Sequence, residues 1–385
     1  MSAQIILPRI LRIGANAQQE IAAVMADLGC CKPLIITDKM MVKLGYADTL
    51  AACLSAKGFQ VDIFDDTLPE PTVASIQAGV SMAKAGDYDA IIALGGGSPI
   101  DSAKAISILA SCGGQMRDYC FPRIVSERGL PVIAIPTTAG TGSEVTKVTI
   151  ITDEKSSEKM LCVGVGFMPQ AALIDFKLTQ SLPARTTADT GIDALTHAIE
   201  AYVSQKASPF TDVQALGAIK LLAPNLRTAY HNGEDSTARE AMMLGSTLAG
   251  IAFSNASVAL VHGMSRPIGA AFHVPHGLSN AMLLPQVTRF SLESASARYA
   301  DCARAMSIAK ASDNDTVAGT KLIDELYALN DELQVPTPKQ FGIQHSQYFG
   351  LLETMAEQAQ ASGSPANNPR VASIDEMIEI YRSIY

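Results

Sequence analysis

The chain has 385 residues, of which 48% are apolar and 17% charged. That is enough apolar residue to fill a large core, which excludes wholesale disorder. Lys and Arg number 29 and Asp and Glu 38, a net charge of −9, so neither nucleic acid nor an anionic membrane surface is an expected partner.

At roughly 100–200 residues per domain, the length predicts two domains or three. Arg9 and Arg12 interrupt the first apolar stretch, so no secretory leader is expected. No run approaches ~18 uninterrupted apolar residues, so no membrane span is expected either. The seven cysteines (Cys30, Cys31, Cys53, Cys112, Cys120, Cys162 and Cys302) are odd in number and irregularly spaced. A disulfide framework or a cysteine zinc site is therefore not expected, and a reducing cytoplasm fits the composition.

Short β-branched runs alternate with helical stretches through the first half. Residues 33–38 predict a strand, 48–57 a helix closed by Gly58, 60–64 a strand and 73–84 a helix. Residues 90–94 predict a buried strand, 100–110 a helix and 131–135 another strand. This alternation predicts a parallel sheet with helices on both faces. From about Thr186 the pattern changes to long amphipathic helices, at 188–204, 209–223, 237–259, 291–307, 317–330 and 374–383. The expected architecture is an N-terminal α/β domain over 1–182 and an all-α C-terminal domain over 183–385, divided near Ser181-Leu182-Pro183. No internal repeat or low-complexity linker separates them.

Two loops follow predicted strands, where ligands of parallel sheets bind. Gly95, Gly96 and Gly97 precede Ser98, Pro99 and Asp101. Glycines let a backbone approach a phosphate, and the next helix start adds N–H groups and a positive dipole end. Ser98 and Pro99 suit the cap and first turn of that helix. A plain tight turn would look similar. Thr137, Thr138, Thr141 and Ser143, with Gly140 and Gly142, make a second, hydroxyl-rich loop, read as a phosphate or ribose clamp or as a polar turn. Asp38 ends an early strand, where a carboxylate binds ribose hydroxyls and repels a 2′-phosphate, which favours NAD over NADP; an exposed turn Asp is the alternative.

Asp193 and His197 are four apart in a strong helix former, so both project from one face. His262, His273 and His276 put three of the six histidines within 15 residues. A carboxylate with imidazoles suits Fe(II), Zn(II) or Ni(II), although an exposed hydrogen-bonded pair and core histidines remain alternatives. His231 and His345 sit in polar stretches and are read as surface residues.

Four motifs carry a resemblance over nearly the whole length: GGGSPIDSAKA at 95–105, PTTAGTGSEVT at 136–146, GIDALTHAIEAY at 191–202, and VHGM with HVPHGLSNAMLLP at 261–264 and 273–285. They resemble the iron-containing (group III) alcohol dehydrogenases, a family that includes lactaldehyde reductase and 1,3-propanediol dehydrogenase. The resemblance implies Asp193, His197, His262 and His276 as metal ligands, for Fe(II) first. It implies NAD held by Asp38, Gly95, Gly96, Gly97, Ser98, Pro99, Asp101, Thr137, Thr138, Thr146 and Lys159. It implies a small alcohol or aldehyde as substrate, and a homodimer or larger homo-oligomer.

One position departs from the family pattern. Many members carry a histidine four residues after the position of His262, near the substrate and suited to proton relay; this chain has Arg266. Arg stays protonated, so relay is expected to pass to His273 or water, and Arg266 is expected to read an anionic group on the substrate. Pairing with a nearby carboxylate, or facing solvent, is the alternative for Arg266. Phe253 is read as an apolar side of the pocket or as core. The expected activity is metal-dependent, NAD(H)-linked alcohol oxidation or aldehyde reduction. The alternatives are a lyase of the dehydroquinate-synthase type and a non-catalytic NAD- or metal-binding protein.

Overall fold

The structure is a computed structural model that describes residues 3–156 and 158–385. Among the described residues there are eight strands: β1 (Ile10–Ile13), β2 (Pro33–Ile36), β3 (Asp62–Phe64), β4 (Ala90–Gly95), β5 (Val132–Pro136), β6 (Val148–Asp153), β7 (Glu158–Val163) and β8 (Ala171–Ile174). Six form one sheet in the order β1-β8-β5-β4-β2-β3, every neighbouring pair parallel. β6 and β7 make a separate antiparallel hairpin.

The helices between them are α1 (Ile21–Leu28), α2 (Lys39–Lys43), α3 (Tyr46–Ser55), α4 (Val73–Ala85) and α5 (Gly97–Cys112). Strand side chains alternate between two cores. Ile35, Ile92, Leu94, Ile133 and Ile135 pack with residues of α1 and α3. Leu34, Ile36, Ile91, Ala93 and Ala134 pack with residues of α4 and α5 on the other face. A parallel sheet covered on both sides needs such continuous apolar strands. The order reverses between β2 and β4, and the residues after both strands line that switch point, where ligands of such sheets bind.

Two strands of the six-stranded sheet, β1 and β8, have no counterpart in the sequence expectation, and neither does β7 of the hairpin. β1 reads Ile-Leu-Arg-Ile, broken by Arg12, and β8 reads Ala-Ala-Leu-Ile, which is equally helical. β2 is as short, but its Leu-Ile-Ile run is unbroken and mostly β-branched.

The chain divides into two compact units, Ile5–Gln180 and Ser181–Tyr385. The second contains α6 (Ala184–Val203), α7 (Pro209–His231), α8 (Ser236–Ala256), α9 (Leu260–Phe272), α10 (His276–Ser291), α11 (Ser296–Ala305) and α12 (Asp315–Glu332). Shorter helices α13 (Pro338–Phe341), α14 (His345–Gly350), α15 (Leu352–Ala361) and α16 (Ile374–Ile384) complete it. Among its described residues there is no strand. α7 runs past Pro224 because its buried stripe continues through Leu226 and Ala229. The single helix expected over 237–259 stops at Ala256 instead: Ser257 takes φ +68, and the chain turns by 103° into α9. That turn sets the orientation of His262. Among the described residues no single helix is long and apolar enough to cross a membrane.

Candidate functional site

In the α/β unit, the loop after β4 enters α5 through Gly95 and Gly96. Gly95 has φ +146, and an added Cβ there would meet Pro99 Cγ at 2.6 Å. Glycine is therefore required on both counts. The helix cap is Gly96, not Ser98 as the sequence suggested, and no side chain caps this end. A glycine cap leaves the first-turn N–H groups available to an anion. Ser98 instead accepts a hydrogen bond at its Oγ from Glu70 N at 3.1 Å, and Pro99 is buried beneath the turn.

The loop after β5 packs against this one. A Cβ at Gly96 would touch Thr138 Cγ2 at 3.2 Å, and one at Gly97 would meet Thr141 Cγ2 at 2.8 Å. Thr137 is buried and its N–H donates to Gly95 O at 3.0 Å. Thr146 faces inward. Its Oγ1 lies 3.1 Å from Lys104 Nζ, which also donates to Ser143 O, Ser143 Oγ, Thr146 O and Val148 O at 2.7–3.0 Å. Three ammonium protons thus serve five oxygens, and burial brings this lysine down to about 8, against the pull of Asp101 and Glu144. Asp101 accepts from Ser143 Oγ at 2.6 Å and Ile150 N at 2.9 Å. Burial pushes its carboxyl up, against Lys104 and these two donors. Asp101 and Thr146 therefore brace the loop from below. Sequence reasoning placed them at the cofactor and did not mark Lys104, whose motif position was the available signal.

Asp38 caps α2, its Oδ1 accepting from Met40 N and Met41 N at 2.8 and 3.0 Å. Its Oδ2 faces the glycine loop, 3.5 Å from where a Cβ on Gly95 would stand. Lys159, across the hairpin from Thr152, donates to Glu70 Oε1 at 2.7 Å, and its side chain is 8% exposed. Glu70 has φ +53, a conformation that few L-residues adopt. It contacts both Ser98 and Lys159, and nothing in its Pro-Glu-Pro setting announced it.

In the helical unit, Asp193 and His197 on α6, His262 on α9 and His276 at the start of α10 converge. One ligand-capable atom from each lies within 4.8 Å of all the others. Asp193 Oδ1 is 3.4 Å from His262 Nε2, 3.7 Å from His276 Nε2 and 3.9 Å from His197 Nδ1. Tetrahedral ligands at ~2.0–2.1 Å from a shared ion stand about 3.3 Å apart, so the spacing fits one divalent cation. The donor set, one carboxylate and three imidazoles, suits a borderline ion. Asp193, His197 and His262 are buried, whereas the His276 side chain is 35% exposed and forms the open side. Burial pushes the Asp193 carboxyl up, but the three imidazoles together outweigh it and hold it well below the usual range.

Glu200, seven residues after Asp193 on α6, lies 2.5 Å from His262 Nδ1 and accepts from Val261 N at 2.6 Å. Burial acts to lower the pKa of His262, and Glu200 and Asp193 reverse that and raise it. Asn280 donates from Nδ2 to Asp193 Oδ1 at 2.7 Å. Phe253 stacks on His197, ring centroids 4.1 Å apart and planes 13° apart. His273 is outside the cluster: it ends α9 with φ +54 and is exposed. His231 and His345 are exposed, as expected.

The family described as iron-containing alcohol dehydrogenase matches residues 8–176, and its C-terminal counterpart matches residues 187–385. The chain belongs to the iron-containing alcohol dehydrogenase family. It is 39% identical to long-chain-alcohol dehydrogenase 1 of Geobacillus thermodenitrificans over 92% of this chain and 91% of that one. It is 34% identical to the NAD-dependent methanol dehydrogenase of Bacillus methanolicus, over 98% of each chain. A solved 1,3-propanediol oxidoreductase superposes with TM-score 0.95 at 34% identity, covering all of both chains. This iron-type alcohol dehydrogenase is accordingly an alcohol/aldehyde oxidoreductase with an N-terminal α/β part and a C-terminal helical part. Sequence reasoning about the dehydrogenase missed Glu200 and Asn280. Both stand at helical spacing from a named histidine, three after His197 and four after His276, and that spacing was the signal.

Proposed function

We propose that the protein is a divalent-metal-dependent, NAD(H)-linked alcohol dehydrogenase or aldehyde reductase for small substrates. The observation that carries this reading is the convergence of Asp193, His197, His262 and His276 on one point. These four would hold the ion, with Fe(II) first and Zn(II) or Ni(II) also suited to the donors. When bound, the ion supplies Lewis-acid polarisation of the substrate oxygen and the nicotinamide supplies or accepts the hydride.

The chain's own residues bind, orient and exchange protons. Gly95, Gly96, Gly97, Ser98, Pro99, Thr137 and Thr138 would cradle the pyrophosphate and neighbouring ribose, with Asp101 and Thr146 bracing them from below. Asp38 Oδ2 would accept from the adenosine ribose hydroxyls and disfavour a 2′-phosphate. Lys159 would exchange its contact with Glu70 for the cofactor. Glu200 holds the His262 ring with Nε2 directed at the cluster, and Phe253 holds His197 flat. His273, exposed and without a side-chain hydrogen bond among the described residues, is assigned proton exchange with solvent. A cytoplasmic location and a homodimer or larger assembly belong to the same reading. The family resemblance supports them, and sedimentation tests the assembly.

The deciding experiment strips metal with a chelator and reloads Fe(II), Zn(II) or Ni(II) without oxygen. NADH oxidation by short aldehydes is then followed. Reloading is expected to restore turnover, and His262→Ala is expected to lose both bound metal and turnover. Turnover that survives in metal-free protein would overturn the assignment.

A further inference from the structure

Arg266 follows His262 by one turn of α9, so both side chains leave the same helix face. It is only 8% exposed. Buried guanidinium groups are normally paired. Yet among the described residues no carboxylate lies within ion-pair distance of Arg266. Nη1 donates to Ser364 Oγ at 3.0 Å. Nε is buried with no hydrogen-bond partner, and among the described residues nothing accepts from Nη2. One edge of the guanidinium, Nε with Nη2, is therefore unpaired. That edge offers two parallel N–H donors, the fork that matches an oxoanion.

Among the described residues, the negative charge that acts on Arg266 is that of Glu200. Its two oxygens already engage Val261 N and His262 Nδ1. The wall beside Arg266 is fixed, because Pro365 packs so tightly on α9 that a Cβ at Gly263 would meet Pro365 Cγ at 2.6 Å. The protein thus keeps a desolvated cation, with its bidentate edge unused, one turn from a cluster residue.

We infer that Arg266 recognises an oxoanion carried by the substrate, a carboxylate, sulfonate or phosphonate at the far end of a short aldehyde or alcohol. This rests on the dehydrogenase reading of the cluster. The rival role for Arg266 is charge balance for Glu200 alone.

Two measurements separate these roles. Calorimetric titration of the full chain, with and without metal, uses propionate, ethanesulfonate and ethylphosphonate as probes and butanol as the neutral control. Saturable binding of at least one oxoanion is expected, and Arg266→Met is expected to weaken it about tenfold to a hundredfold. The second compares kcat/KM for succinic semialdehyde, sulfoacetaldehyde and phosphonoacetaldehyde with that for butanal. The anionic-to-neutral ratio is expected to exceed one and to fall by a similar factor in Arg266→Met. The pattern across the three anions identifies which oxoanion it is.

Binding and a ratio that the substitution leaves in place would overturn the inference in favour of charge balance. Turnover of butanal with no anionic preference keeps the dehydrogenase reading and rejects this role for Arg266. Arg266-dependent binding without turnover of any aldehyde rejects the dehydrogenase reading and keeps the anion site. If Arg266→Met does not fold, Arg266→Lys decides: it keeps the charge but not the fork, so the ratio must still fall.

Discussion

Glu200 is not one of the four converging residues, yet it sets the state of one that is. Its carboxylate holds the proton on His262 Nδ1, which leaves the Nε2 lone pair directed at Asp193 and the cluster. Glu200→Gln preserves volume and the contact with Val261 N–H but removes the charge. Metal affinity is expected to fall about tenfold to a hundredfold, measured by competition with a chromophoric chelator. The rate per loaded site should change less than the affinity. An affinity within twofold of the parent would mean that Glu200 only packs. At this scale Asp193 and His197 were legible as a pair sharing one helix face, and it was the family resemblance that joined His262 and His276 to them. Their supports were not legible. Which ring Glu200 meets depends on where α9 lies, and that follows from the turn at Ser257, a non-glycine residue at positive φ.

Elements are brought together by glycines as much as by apolar contact. An added Cβ at Gly277 would press on the backbone of Asp189 and stand 3.3 Å from Asp193 Cβ, so the first turn of α10 sits directly on α6. Gly277→Ala is expected to cost about 1–3 kcal/mol through overpacking. It should also weaken metal binding, because His276 rides on the displaced turn. Gly350→Ala, with no atom within 4 Å of its new Cβ, serves as the control in the same melting and chelator-competition assays. If Gly277→Ala binds metal as the parent does, the coupling between packing and cluster is absent. In the α/β unit Lys104 has the equivalent position. Lys104→Met leaves five oxygens without their donor and Asp101 without its counter-charge, an expected loss of about 3–5 kcal/mol. NAD+ affinity should drop with it, since Ser143 and Thr146 shape the loop after β5. An unchanged melting temperature would sink this. The alternation of strands and helices was readable because each long element carries its period. β1 and β8 were not: Arg12 breaks the first, Ala-Ala-Leu-Ile suits a helix equally, and parallel partners distant in sequence specify both.

The whole molecule divides into an α/β unit and a helical unit, with separate groups of candidate residues on each. A ligand that binds only the folded state stabilises it by mass action, about 2.7 kcal/mol at a hundredfold excess over Kd. Local opening is suppressed most where the ligand's own contacts lie. If the proposed division of labour holds, the two ligands protect different amides. Adding Zn(II) or Fe(II) to stripped protein should slow hydrogen exchange in α6, α9 and the start of α10. β2, β4 and the loops after them should remain near their metal-free rates. NAD+ should slow exchange in the loops at 95–98 and 137–146 and in the hairpin around Lys159. The controls come from the same chain. His262→Ala should abolish the first pattern and spare the second, and Lys104→Met should weaken the second and spare the first. A metal that protects the loops after β4 and β5 as strongly as α6, in a sample without NAD+, would show one cooperative site rather than two. The assignment of separate roles to the two units would then have to be withdrawn.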